Sequence, residues 1–351
     1  MKQIHSDIFQ FRGSHYDFGL KVGKTLKDSL IVKNRQKGWK LKRPRFDIDV
    51  VEAKQQFKRF APAIWDEMEG LRDGLGLPMK EVLRDFGGYR VEPDKSGCSI
   101  FTTDEFMVRN YDFHPFTYDG MFCLYEPTDE GYAVIGPTSR ITGRMDGMNE
   151  KGLVMGYNFT HRKKTADGFV CYMVGRMILE TCATVGEAID LVKSVPHRGA
   201  FSYNVLDRSG TTYVIEAGPR GVEVREANVC TNHFEILTEE NRRYLNDSME
   251  RKDIILKNES EMMKPDDAFN FFNDSEAGVF ADNYKSWAGT IHTSLYLPHN
   301  MKVWFTLGAD QEPVIFDFNQ WLSGKEISIE RMYGHVDTEL GFANMDAKLR
   351  I

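Results

Sequence analysis

The period of the apolar positions changes near residue 97. Before it, apolar residues recur at helical spacing over 17–26, 51–60 and 62–71, the last with Pro62 at a favourable helix start. Gly19 and Gly23 fall on one helix face, where a missing side chain permits close approach to another element. A short strand-like stretch precedes these helices. A glycine-rich stop at 74–78, a short helix over 79–85 and a turn-rich loop over 87–94 follow them. After residue 97, short β-branched and aromatic runs separated by turn residues predict strands. Residues 97–103 and 107–113 form a hairpin about Asp104-Glu105. Further strands are expected at 121–126, 132–136 and 153–159, with 146–152 as a turn. Helical periodicity returns over 173–193, broken by a capping-box pattern at Thr184 to Glu187. Strands at 202–206, 212–216, 221–226 and 229–232, helices at about 242–257 and 265–272, and strands at 290–297 and 302–307 complete the pattern. Two strand blocks alternating with two helix blocks predict an α+β domain whose sheets are covered by helices.

Composition narrows the function. A chain of 351 residues, 41% hydrophobic and 28% charged, can bury one large core or two smaller ones. A net charge of -7 and a pI near 5.8 give no general attraction to nucleic acid or anionic membranes, so a small-molecule partner is favoured. The N-terminus lacks an apolar signal core, and no stretch offers about 18 uninterrupted apolar residues. These features place the chain in the cytoplasm. The basic run Lys33, Arg35, Lys37, Lys40, Lys42, Arg43 and Arg45 is expected to be a solvated face, since no glycine loop accompanies it to hold a phosphate. Cysteines at 98, 123, 171, 182 and 230 form neither a paired framework nor a metal-ligand spacing, and are expected to be mostly reduced and buried.

The hairpin carries the candidate chemistry. It folds Arg109 and Asp112 back towards Cys98, and a thiol with an ordinary pKa of about 8.5 needs a nearby cation to become a nucleophile near neutral pH. The plainer alternative is a small buried cysteine beside a surface ion pair.

Several separated motifs extend this picture. Gly97-Cys98 is followed by Arg109-Asn110-Tyr111-Asp112, then by Asp146-Gly147-Met148-Asn149-Glu150-Lys151-Gly152-Leu153 running into Gly156-Tyr157-Asn158-Phe159. Further on stand Asp207-Arg208-Ser209-Gly210 with Glu216, Thr231-Asn232-His233-Phe234, and Ser248-Met249-Glu250-Arg251. In this order the pieces resemble the N-terminal nucleophile hydrolases of the choloylglycine hydrolase and penicillin acylase type. The resemblance is closest to the autoproteolytic acyltransferase branch typified by isopenicillin N acyltransferase. It implies a four-layer αββα sandwich over 98–351, preceded by a mainly helical prosegment, 1–97, that becomes a small subunit after cleavage at Gly97-Cys98. Bile-salt hydrolases differ, because their cysteine follows the initiator methionine directly.

The resemblance implies that Cys98 is the nucleophile, its freed α-amino group the base, Arg109 and Arg251 the supporting charges, Asp112 the group orienting the α-amine, and Asn158 and Asn232 the oxyanion donors. The expected reaction is cleavage of a linear amide of a small acyl-amine substrate, with no cofactor and no metal. An acyl-coenzyme A or an amine acceptor and a homo-oligomer are admitted as partners. Two other readings stand beside it: an uncleaved Cys98-His233 thiol hydrolase, and a non-catalytic ligand-binding member of the fold. Tyr118, Phe116, Tyr157 and Phe201 are candidate pocket aromatics, with core packing the plainer use.

Overall fold

The computed structural model describes residues 1–41, 47–91, 97–160, 165–241, 245–285 and 289–345. Lys42, Arg43 and Arg45 of the basic run, the Pro93-Asp94 turn and the expected helix start at Arg242 lie outside the described residues, as does the side chain of Lys40.

The chain opens with β1 (Lys2–Gly13), then α1 (His15–Leu26), α2 (Leu30–Leu41), α3 (Val50–Phe60), α4 (Pro62–Leu75) and α5 (Met79–Val82), the last continued by one π turn over Leu83–Gly87. The hairpin β2 (Gly97–Thr102) and β3 (Met107–Phe113) follows, then β4 (Met121–Pro127), β5 (Val134–Ser139), β6 (Gly143–Arg144), β7 (Asp146–Asn149) and β8 (Val154–Thr160). Two helices come next, α6 (Cys171–Thr181) and α7 (Val185–Ser194), and then β9 (Ala200–Leu206), β10 (Thr212–Gly218), β11 (Gly221–Arg225) and β12 (Val229–Cys230). The chain ends with α8 (Asn246–Asn258), α9 (Pro265–Asn273), β13 (Gly289–Leu297), β14 (Lys302–Leu307), β15 (Val314–Asp317), α10 (Phe318–Leu322) and β16 (Arg331–Val336).

Among the described residues these strands make two sheets. The larger runs β11-β10-β9-β8-β7-β5-β4-β1-β16, with β6 paired to β5; the smaller runs β12-β2-β3-β13-β14-β15. Helices α6 and α7 cover the larger sheet, α8 and α9 cover the smaller one, and β2 meets β8 where the sheets face each other. Phe122 of β4 packs on Phe305 of β14 across that interface, ring centroids 4.9 Å apart. The result is an αββα stack. Among the described residues no helix is long and apolar enough to cross a membrane.

The first 97 residues are mostly helical, yet β1 lies inside the larger sheet, parallel to β4 on one side and antiparallel to β16 on the other. Buried charges add to the junction. His15 of α1 bonds Asp129 at 2.7 Å and Glu180 of α6 at 3.2 Å, and Arg176 of α6 pairs with Glu67 of α4. The expected small-residue face of α1 is used: Gly23 meets Gly74 of α4, Gly19 packs on the backbone of Glu67 and Leu71, and a Cβ at Gly70 would lie 2.0 Å from the Tyr16 carbonyl oxygen. Backbone cannot yield as a flexible side chain can. Gly70→Ala should therefore lower the unfolding free energy by about 1–3 kcal/mol in denaturant titration despite alanine's better helix propensity.

Three local expectations change. The stretch 146–152 is strand β7 followed by a turn over Glu150–Gly152, because the side-chain oxygen of Asn149 accepts from the Lys151 and Leu153 amides, each at 3.0 Å, and closes the turn itself. Arg35 is not a solvated surface charge: it donates to the Asp85 carbonyl, pairs with buried Asp119 at 3.1 Å and lies over Phe86. Strands β6, β15 and β16 and helix α10 are additional to the sequence reading.

Candidate active site

Period-two alternation along the β2–β3 hairpin sorts its side chains onto two faces. Cys98 stands opposite Tyr111, and Ile100 opposite Arg109, so the thiol, the guanidinium and the phenol share the face turned towards β8. Gly97 stands opposite Asp112 and Ser99 opposite Asn110, which places these residues on the face turned towards α8 and α9; Asn110 donates to the Phe272 carbonyl there at 2.7 Å, and Arg251 reaches Ser99. Arg109 thus borders the sulfur, whereas Asp112 borders the peptide bond before it.

Arg109 is wholly buried. One Nη donates to Cys98 Sγ at 3.1 Å and to the Tyr157 carbonyl, and the other lies 3.2 Å from Asp146 Oδ2. Its guanidinium also lies 4.8 Å and 5.3 Å from the ring centroids of Tyr111 and Tyr157. Gly156 makes the room: a Cβ there would sit 3.1 Å from Arg109 Cδ. Burial pushes the Cys98 thiol up to about 11, against the pull of Arg109, so the sulfur is protonated in this uncut chain.

The Cys98 nitrogen has its own partner. Its N–H donates to Asn232 Oδ1 at 2.9 Å, and Arg251 donates to the same oxygen at 2.8 Å. Both neighbours are donors, so the amide must turn its carbonyl towards them. Asn232 Nδ2 donates to the Phe159 carbonyl at 2.8 Å. Arg251 further donates to the Cys98 carbonyl at 2.8 Å and to Ser99 Oγ at 2.7 Å, and is held by Asp247 one helical turn earlier. Ser248 Oγ accepts the Asn232 N–H at 2.7 Å and fixes the loop after β12 on α8.

Asn158 Nδ2 donates to the carbonyls of Cys230 and Thr231 at 2.9 Å and 3.2 Å. The two asparagines expected as oxyanion donors thus commit their N–H groups to main-chain carbonyls in the uncut chain. Asn158 braces β12, while Asn232 presents an acceptor to the Cys98 nitrogen. His233 Nδ1 is 2.8 Å from Ser248 Oγ and 3.3 Å from Thr231 Oγ1, and among the described residues no hydrogen bond joins it to Cys98.

Gly97 packs directly on Asp112: a Cβ at position 97 would lie 2.7 Å from Asp112 Oδ2. Asp112 Oδ1 accepts from Thr290 Oγ1 at 2.6 Å, and burial raises the carboxyl to about 6 although Arg251 and Thr290 oppose the rise. Sequence reasoning gave no role to Asp146, Thr290, Ser248 or Asp247. Asp146 and Ser248 lie inside quoted motifs, but Thr290 carries no signal beyond its strand. Of the candidate aromatics, Tyr118, Tyr157 and Phe201 are buried and Phe116 is exposed. All five cysteines are buried and none is joined in a disulfide. Among the described residues no three His, Cys, Asp or Glu side chains gather as a metal site.

The chain is similar to several known proteins. The family model for acyl-coenzyme A:6-aminopenicillanic acid acyl-transferase matches residues 101–312. Among solved structures, a mutant conjugated bile acid hydrolase from Clostridium perfringens aligns at 15% identity and TM-score 0.44 over 64% of this chain and 93% of its own. Penicillin V acylase from Agrobacterium tumefaciens aligns at 12% and 0.42 over 64% and 86%. The Caenorhabditis elegans ortholog of N-acylethanolamine-hydrolyzing acid amidase aligns at 12% and 0.42 over 58% and 93%. No curated protein sequence matches the chain. With more than half of its length matched by the family model, the chain belongs to the acyl-coenzyme A:6-aminopenicillanic acid acyl-transferase family.

Proposed function

We propose that this enzyme is a cysteine amidohydrolase or acyl transferase that activates itself by cutting the Gly97-Cys98 bond. The observation that carries the reading is the double hold on Cys98: Arg109 at 3.1 Å from Sγ and Asn232 Oδ1 at 2.9 Å from the main-chain nitrogen. A structural cysteine needs neither.

In the cut, Sγ attacks the Gly97 carbonyl carbon while a water molecule carries off the thiol proton. The C–N bond then breaks, the nitrogen takes the proton, and Gly97 is left as a thioester on Cys98. Water hydrolyses that ester to the Gly97 carboxylate and the free thiol. Glycine suits the position because a side chain would meet Asp112.

In turnover the new α-amino group, with an ordinary pKa of about 7.7–8.0, takes the thiol proton while donating one N–H to Asn232 Oδ1. Sγ attacks the substrate amide carbon, the leaving amine takes the proton, and the acyl group stays on sulfur until water or a second amine removes it. An acyl-coenzyme A would load the same sulfur by thioester exchange. Linear amides of small acyl-amine compounds are the substrate class. The Cys98-His233 dyad gains no support, because His233 bonds to Ser248 and Thr231 and leaves the Arg109 and Asp112 contacts without a use.

N-terminal sequencing and intact mass after incubation test the reading, with Cys-Ser-Ile-Phe expected at the head of the larger fragment. An active enzyme that keeps one uncut chain from Met1 would refute self-activation.

A further inference from the structure

Asp146 is a wholly buried carboxylate for which the mechanism above has no use. It starts β7 opposite Gly156 in the larger sheet, whereas Arg109 belongs to the smaller one, so their 3.2 Å contact crosses between the sheets beside the nucleophile. Ser294 of β13, opposite Arg109 in register, donates to Asp146 Oδ2 at 2.7 Å, and His292 Nε2 lies 3.5 Å from the same oxygen. The His292 ring stacks on Tyr111, which stands opposite Cys98. One guanidinium therefore serves two groups, the Cys98 sulfur and the Asp146 carboxylate.

We infer that Asp146 is a positioning residue which holds Arg109 between the sheets and, by sharing its charge, keeps Cys98 a neutral thiol until the base removes its proton. The inference rests on the reading of Cys98 as nucleophile. Two negative charges on one buried guanidinium oppose each other, so the standing carboxylate makes the thiolate harder to form. Burial alone would raise Asp146, yet Arg109, His292 and Ser294 hold it at about 2, so its charge is present across the working range. The other titratable groups facing this set are Asp112 and Tyr111 on β3, Tyr157 on β8, Tyr296 on β13 and Arg251 on α8.

Asp146→Asn keeps the shape and removes the charge. The test is the pH dependence of the rate of Cys98 labelling by methyl methanethiosulfonate in the full chain, read as the mass of the Cys98 peptide from about pH 7 to about pH 12. The labelling midpoint should fall by a pH unit or more, about a tenfold gain in thiolate at pH 7. A purely structural role predicts the reverse, since a loosened Arg109 raises the thiol pKa. Ser294→Ala keeps the charge but removes the hydroxyl that shares it, so its midpoint should rise. Should Asp146→Asn not fold, an unmoved midpoint in Ser294→Ala overturns the inference, as does an unmoved or raised midpoint in Asp146→Asn. Neither result bears on whether Cys98 is the nucleophile, which Cys98→Ala decides separately.

Discussion

Cys98→Ala should abolish both cleavage of the chain and amide turnover, a loss on the order of 10⁴-fold or more in kcat, as for removal of a nucleophile elsewhere. Alanine at 123, 171, 182 or 230 should leave turnover largely intact. A nearby arginine is not what separates these cysteines, because Cys123 also has one, with Arg144 Nη2 at 3.5 Å from its sulfur. The difference lies in the backbone. Cys123 sits in the middle of β4, between ladders to β1 and β5, whereas Cys98 is the second residue of β2 with its nitrogen on a side-chain acceptor and a glycine before it. The check is mass spectrometry for the cut and product release from an amide for turnover, on variants with matching circular dichroism. Turnover surviving in Cys98→Ala would remove the thioester from the mechanism.

Asn232→Ala should lower kcat by about 10²- to 10³-fold with little change in KM, whereas His233→Ala should cost only a few-fold. The expectation follows from the contacts: Asn232 touches the nitrogen proposed to become the base, and general-base assistance commonly contributes about 10²- to 10⁴-fold. His233 reaches Ser248, which in turn holds the Asn232 backbone, so its influence is indirect. Single-turnover kinetics on fully processed variants separate these effects from slow cutting. The opposite ranking, with His233→Ala dead and Asn232→Ala active, would make imidazole the base.

Much of the site was legible because its parts lie at strand ends and turns, where polar residues in apolar surroundings stand out. Cys98, Arg109 and Asp112 share one hairpin, so short-range pairing alone brings them near each other. What the sequence left open was which face each occupies, since a one-residue difference in register exchanges the faces. Asp112 accordingly faces Gly97 and not the sulfur. The orientation of Asn232 was also hidden: whether an amide offers its oxygen or its nitrogen depends on neighbours, here Cys98 and Arg251, that are 134 and 19 positions away. Asp146 escaped notice because β7 is short and turn-like in composition, and its partner Arg109 lies in the other sheet. Strand β1 read as a short start because most of its side chains are only half-buried, which blurs the alternation.

The placement of β1 also bears on how long the cut enzyme lasts. The proposed hydrolysis of the Gly97-Cys98 bond would sever the chain but leave β1 laced between β4 and β16 by two ladders of main-chain hydrogen bonds. The small fragment can leave only if the larger sheet opens along a strand inside it. Dilution would then have no grip on the two-chain enzyme, because its lifetime as a complex is set by the unfolding rate of the sheet and not by a dissociation constant between two folded partners.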